Sequence, residues 1–184
     1  MSGSVETSTL RETEIAAARE EDLAVLSNVE RRAATMFPPG TLPDGVEGDV
    51  LPVAVTREAV AEGRLFVARR VKSAQVVGFV LVAEADGHGH LDEIDVDPDW
   101  GRRGIGRRLV ERACLWAESK GYFQISLSTF RDIPWNAPFY ARLNFVETAP
   151  SDLGRDVAKR RAQEEREGFD MSRRCLMVRL IEGD

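Results

Sequence analysis

The sequence predicts one domain of mixed α and β structure, an α+β (α/β mixed) fold with a central sheet flanked by helices. Three observations carry this. A chain of 184 residues with 43% hydrophobic residues is the size of one domain and has enough apolar side chains for a core. Short apolar runs bounded by Gly, Pro and charged residues recur and read as strands. From residue 90 to 146 the pattern alternates strand, helix, strand, helix, strand.

Residues 1–12 are small, polar and charged, cannot bury enough surface to order themselves, and are expected to be a flexible tail, so the domain spans 13–184. A short strand follows at Glu14-Ile15-Ala16. Over Glu21 to Met36, Leu23, Leu26 and Val29 stand at helical spacing, and Phe37-Pro38-Pro39-Gly40 stops that helix. Residues 38–52 hold Pro38, Pro39, Pro43 and Pro52 without apolar periodicity and read as a long loop. Thr56 to Glu62 is a short helix closed by Gly63. Leu65 to Ala68 and Val76 to Glu84 are antiparallel strands, and His90 to Val96 is a third, ended by Asp97-Pro98 because proline cannot continue a central ladder. Ile105, Leu109, Ala113 and Trp116 place a helix over Gly104 to Lys120, with Gly121 as its stop. Gln124 to Phe130 is a strand, Asn136 to Leu143 a short helix, and Phe145-Val146 the next strand. Asp152 to Glu167 is helical in propensity and so charged that a solvated face is expected. Cys175 to Ile181 is the last strand.

A formal net charge of -6 and a sequence pI near 5.1 argue against nucleic acid as a partner, because phosphate backbones are bound by surplus Lys and Arg. Cys114 and Cys175 are far apart, fit no metal-ligand spacing, and are expected to be reduced; no metal is expected. No apolar run is long enough to span a bilayer, and the opening MSGSVETSTLRETE lacks the apolar core of a signal peptide, so a cytoplasmic protein without a membrane partner is expected. Oligomeric state is left open, a homodimer among the options.

The most informative stretch is Val96 to Leu109, in which a strand passes through a glycine-bearing turn directly into a helix. A helix start presents unpaired N–H groups and about half a positive charge, which holds a pyrophosphate if no Cβ blocks its approach. Gly101, Gly104 and Gly106 clear that approach, and Arg102, Arg103, Arg107 and Arg108 concentrate positive charge in an otherwise acidic chain. The turn lacks the G-K-[ST] ending of a Walker A loop, and its glycines do not fit G-x-G-x-x-G, which speaks against ATP and NAD.

Strand, turn and helix resemble the acetyl-CoA pyrophosphate motif, Q/R-x-x-G-x-G/A, of the GNAT superfamily of N-acetyltransferases. The resemblance runs without a gap through residues 90–147 and more weakly from Thr13. It implies a mostly antiparallel mixed sheet splayed between strands 4 and 5, and transfer of the acetyl group of acetyl-CoA to a primary amine by direct attack. A small amine or metabolite is favoured over a protein N-terminus. Gly101 stands where the family has Gln or Arg, so Arg102 or Arg103 is expected to supply that contact. The resemblance further implies that Ile94, Asp95 and Val96 open their backbone to the pantetheine arm, and that Arg102, Arg103, Gly104, Ile105, Gly106 and Arg107 hold the phosphates. Asn136 and Phe139 line the arm, and Tyr140 protonates the departing thiolate. Asn136 reads equally as a helix N-cap. A general base is expected from the strand at 90–95. Glu93 is favoured, then Asp92, with His90 and His88 as further candidates that otherwise read as surface loop histidines. Strand alternation sets Asp92 and Glu93 on opposite faces, but a bulge in this strand of the family shifts the register. Asp44, Glu47 and Asp49, and the segment Thr129 to Trp135, border the acceptor pocket by analogy. A non-catalytic acyl-CoA sensor or scaffold is the alternative, motivated by Gly101.

Overall fold

Hairpin chemistry sets the middle of the sheet. The turn Asp86-Gly87 has both residues at positive φ, 52° and 76°, which is the two-residue geometry whose twist matches that of the strands it joins. It links β3 (Val76–Ala85) to β4 (His88–Val96). The computed structural model describes residues 12–44, 46 and 50–181. In chain order the remaining elements are β1 (Thr13–Ala17), α1 (Leu23–Ala34), α2 (Val53–Ala61), β2 (Leu65–Arg70), α3 (Ile105–Ser119), β5 (Gln124–Phe130), α4 (Ala137–Ala141), β6 (Val146–Thr148), α5 (Arg155–Arg166) and β7 (Arg174–Leu180). The hydrogen-bonded strand order is β1-β2-β3-β4-β5-β7-β6. β1 with β2, β2 with β3, β5 with β7 and β6 with β7 are antiparallel, and β4 with β5 is parallel. That is the mixed, mostly antiparallel sheet expected from the sequence. The parallel pairing stops at Leu91 opposite Leu127, whereas β4 continues to Val96 and β5 to Phe130 in register with β7 alone.

The chain divides into two units. Among the described residues, the first takes the chain up to Thr41, from residue 50 to Leu81, and Glu93–Ala113. Its core joins Leu23, Leu26 and Val29 of α1 and Ala59 of α2 to Leu65, Val67, Phe79 and Leu81 of β2 and β3. Arg69 and Asp22 are both buried and paired at 2.6 Å, and Asp22 also accepts from Arg19 N at 2.7 Å, so neither charge is left without a partner.

Among the described residues, the second unit takes 42–44 and 46, Val82–Asp92, and 114–181. Its small apolar cluster is Ala85, Leu153, Val157 and Leu176, with Val178 against it. The charged helix expected to be solvated is α5. Its Val157 is fully buried, and Arg160 and Glu164, three and seven residues on, lie on the same face and bond to strand residues. The rest of the helix keeps the solvated face that its charge density led one to expect, with Arg155, Ala158, Lys159, Gln163, Glu165 and Arg166 exposed. The Asp86 carboxylate accepts the opening N–H groups of α5 from Arg155, Asp156 and Val157 at 3.0, 2.7 and 3.2 Å, a cap supplied from another hairpin.

Candidate active site

The phosphate-type turn lies in the first unit and is braced on several sides. Arg32 of α1 grips Asp97 through two bonds of 2.7 and 2.9 Å and Asp99 at 2.7 Å, while Asp97 accepts from Asp99 N at 3.0 Å. The hydrogen bonds from Arg32 hold the Asp97 carboxyl below its ordinary pKa. Trp100 stands between two guanidinium groups, with Arg70 and Arg103 at 4.8 and 4.7 Å from its ring. Arg108 turns away to Thr13, donating to its Oγ1 at 2.8 Å and its carbonyl at 2.9 Å. This bracing from α1, β1 and β2 was not foreseen, since its partners lie far apart in sequence.

At the turn, Arg102 has φ 56° and Gly104 φ 76°, and a Cβ built on Gly104 meets nothing within 4 Å. Arg108 N donates to Gly104 O at 3.1 Å, and the amides of Ile105 and Gly106 precede it at the opening of the helix. Arg102 is exposed. Arg103 donates to Asp99 O at 3.3 Å and faces Glu12 at 3.7 Å, and Arg107 pairs with Glu111 at 2.8 Å on the helix surface. Gly101 has an ordinary φ of -61°, and its absent Cβ would stand 3.2 Å from Pro98 O. A side chain there needs only a small shift.

Before the turn, β3 presses on the end of β4, where a Cβ at Gly78 would sit 2.8 Å from Asp95 O. Glycine permits that approach. Ile94, Asp95 and Val96 are half-buried. The Asp95 carboxyl is pushed well above its ordinary pKa, first by burial, then by the neighbouring carboxylates of Glu93 and Glu30. Glu30, on α1, accepts from Leu51 N at 2.9 Å. Glu93 therefore belongs to a group of three acids. Glu47 and Asp49, expected to border the acceptor, lie outside the described residues.

In the second unit, Asp92 forms an ion pair with Arg160 of α5. His88 and His90 are not surface loop residues: both lie in β4 and are buried, and they share one hydroxyl, that of the fully buried Ser126 on β5. His88 Nε2 and His90 Nδ1 stand 2.9 and 2.7 Å from Ser126 Oγ. The loop expectation followed from the glycines around them, and the shared partner comes from β5, which no local pattern reveals. Ser126 was not singled out in the sequence. Tyr140 is buried on α4, edge-on to Phe139 and Phe145 at 5.1 and 5.7 Å. The Asn136 side chain makes no capping bond to α4; its backbone carbonyl instead accepts from Phe139 N and Tyr140 N at 2.8 and 3.0 Å. The N-cap reading of its amide therefore fails. Trp135 is 38% exposed, and Ile133 is buried.

A mixed sheet whose fourth and fifth strands pair in parallel only briefly, with a glycine-bearing, arginine-rich turn opening α3, is the arrangement that the resemblance seen in the sequence implied. Residues 61–147 match the family described as "Acetyltransferase (GNAT) domain". The glucosamine 6-phosphate N-acetyltransferase of Trypanosoma brucei brucei is 32% identical over 57 residues, which are 31% of this chain and 37% of that protein. The chain thus spans a little over a third of that relative's length. Among solved structures, N-acetylglutamate synthase from Neisseria gonorrhoeae, complexed with coenzyme A and N-acetyl-glutamate, superposes with a TM-score of 0.70 at 14% identity, covering 92% of this chain and 35% of that one. Rv2747 from Mycobacterium tuberculosis, in complex with CoA and NLQ, gives 0.66 at 18% identity over 92% and 99% of the two chains. Residues 61–147 are thus similar to a GNAT acetyltransferase domain, and the solved structures share the fold.

Proposed function

We propose that the protein is an acetyl-CoA-dependent N-acetyltransferase that acetylates a primary amine of a small molecule by direct attack. The observation that carries this is the braced turn, where Gly104 in a left-handed conformation leads into the helix-opening amides of Ile105 and Gly106 beside Arg102 and Arg103. An acyl-CoA pyrophosphate suits such a helix start, and solved neighbours of the same fold hold coenzyme A.

In this reading the backbone of Ile94, Asp95 and Val96 carries the pantetheine arm, with Asn136 and Phe139 along it. The Asn136 amide, not spent on a cap, suits that role. Tyr140 donates its hydroxyl proton to the departing thiolate. Glu93 is favoured over Asp92 as the base, for a physical reason. Asp92 is held in an ion pair with the Arg160 guanidinium, whereas Glu93 stands beside Asp95, whose carboxyl pKa is raised first by burial and then by the charge of Glu93. The same acids attract an ammonium group. The reading makes this a cytoplasmic enzyme: Cys114 and Cys175 are buried and form no disulfide, and among the described residues no helix is long and apolar enough to cross a membrane.

The test is coenzyme A release from acetyl-CoA against a panel of primary amines, followed by thiol detection. Tyr140→Phe keeps acetyl-CoA binding and lowers kcat by about 10²-fold or more, the usual contribution of a positioned acid. Undiminished turnover in that variant removes Tyr140 from the mechanism. Binding of acetyl-CoA with no turnover on any amine turns the assignment to a non-catalytic acyl-CoA-binding module.

A further inference from the structure

Among the groups that brace the turn, the Arg32 guanidinium is shared between two carboxylates of one short stretch of chain. Its Nε donates to Asp97 Oδ2 at 2.7 Å, and its Nη2 donates both to Asp97 Oδ1 at 2.9 Å and to Asp99 Oδ2 at 2.7 Å. The two acids are not held alike. Asp97 Oδ1 also accepts from Asp99 N at 3.0 Å, capping the turn Pro98–Trp100, and its side chain is 14% exposed. The Asp99 side chain is 80% exposed and is held through Arg32.

A carboxylate at that place has a second cation within reach. Arg103 lies four residues on and already reaches back to Asp99, its Nη2 donating to the Asp99 backbone carbonyl at 3.3 Å. Its other ties are an ion pair with Glu12 at 3.7 Å and the ring of Trp100 at 4.7 Å. These are long contacts, and they leave a guanidinium that can turn to an arriving phosphate at little cost. A direct bond to a carboxylate would be shorter and stronger, and it would cancel the charge that a phosphate needs.

We propose that Arg32 is a positioning residue for acetyl-CoA: by holding Asp99 it keeps that carboxylate off Arg103 and leaves the Arg103 guanidinium to the diphosphate. The role rests on the acetyl-transfer reading above. Arg32 acts through Arg103, since its own Nε and Nη2 are both spent on the acids. It stands in the last turn of α1, where the helix C-terminus favours a cation. Without it, two uncompensated carboxylates share the turn with Arg102 and Arg103.

A staple that merely fastens α1 to the turn makes different predictions, and removal of charge separates the two. Acetyl-CoA association is read by stopped flow and affinity by calorimetry, at about 0.05 and 0.5 M sodium chloride. Arg32→Gln is expected to slow association and weaken affinity by about 10-fold at the lower salt, with the gap closing at the higher, because the loss is one of charge at the rim of a site. Adding Asp99→Asn to Arg32→Gln is expected to regain most of the loss, since no freed carboxylate then competes for Arg103. Asp99→Asn alone keeps or tightens affinity. With a staple, the double variant stays as weak as Arg32→Gln at both salt concentrations, and Asp99→Asn alone weakens binding. Either result overturns the proposal, and the second decides even if Arg32→Gln fails to fold. Arg31→Gln removes the same charge from the neighbouring exposed position, and a loss equal to that of Arg32→Gln also overturns the proposal. Failure of the native chain to bind acetyl-CoA removes the function and this role together, whereas native binding that Arg32→Gln leaves unchanged removes the role alone.

Discussion

At the scale of single residues, Gly154 and Asp86 constrain each other most tightly. Gly154 has φ 93°, and a Cβ there would stand 2.5 Å from Asp86 Cγ. Asp86 cannot retreat without releasing the amides of Arg155, Asp156 and Val157 that it caps. Gly154→Ala therefore meets backbone strain of about 1–3 kcal/mol and also displaces the cap. A loss of about 2 kcal/mol or more is expected, which for a chain of this size lowers Tm by about 4 °C or more in a thermal melt. Gly63→Ala is the comparison: φ is 68° there but nothing lies within 4 Å of the added methyl, so only the backbone strain is felt. Equal melting shifts for the two variants would remove the cap from the explanation.

At the scale of elements, what the sequence disclosed and what it hid divide by distance along the chain. Periodicity located α3 and its ends, and Gly104 and Gly121 do carry positive φ, both 76°. Gln124 to Phe130 coincides with β5, and the glycine turn opens a helix as its spacing implied. Arg32 and Asp97 are 65 residues apart, His90 and Ser126 are 36, and Asp86 reaches α5 from 69 to 71 residues away. No local period encodes such pairs. The histidines were misread for the same reason, since the hydroxyl they share, that of Ser126, lies 38 and 36 residues further along the chain. The matched glycines at the two ends of α3 give a controlled test of the turn. Neither added methyl meets an atom within 4 Å, so Gly104→Ala and Gly121→Ala carry the same backbone strain and lower Tm alike. Only Gly104→Ala puts a Cβ into the phosphate approach, and calorimetry should find its acetyl-CoA affinity down by about 10-fold or more, for roughly 1.4 kcal/mol or more of lost binding. Equal affinities in the two variants would place the pyrophosphate elsewhere.

At the scale of the whole molecule, the charge balance poses a problem that the turn must overcome. The chain carries a net charge of -6, and acetyl-CoA is itself polyanionic, so the proposed function brings together two bodies of like sign. If the summed field governed the encounter, added salt would screen repulsion and tighten binding. If the local field of Arg102, Arg103, Arg107 and the opening of α3 governs it, salt screens attraction and weakens binding. The two fields differ in range. The Debye length is about 10 Å at 0.1 M salt, so distant acids are screened first while arginines in contact range persist. The turn also excludes nearby acid neutralisation in part, because Asp97 and Asp99 are both engaged by Arg32. Acetyl-CoA affinity is therefore expected to fall steadily as sodium chloride rises from about 0.05 to 0.5 M, chiefly through slower association. Arg102→Ala should flatten that slope, since the exposed guanidinium at this corner would no longer contribute. A salt dependence of opposite sign in stopped-flow binding would mean that the phosphates approach another face of the protein, because no other balance of these charges reverses the trend.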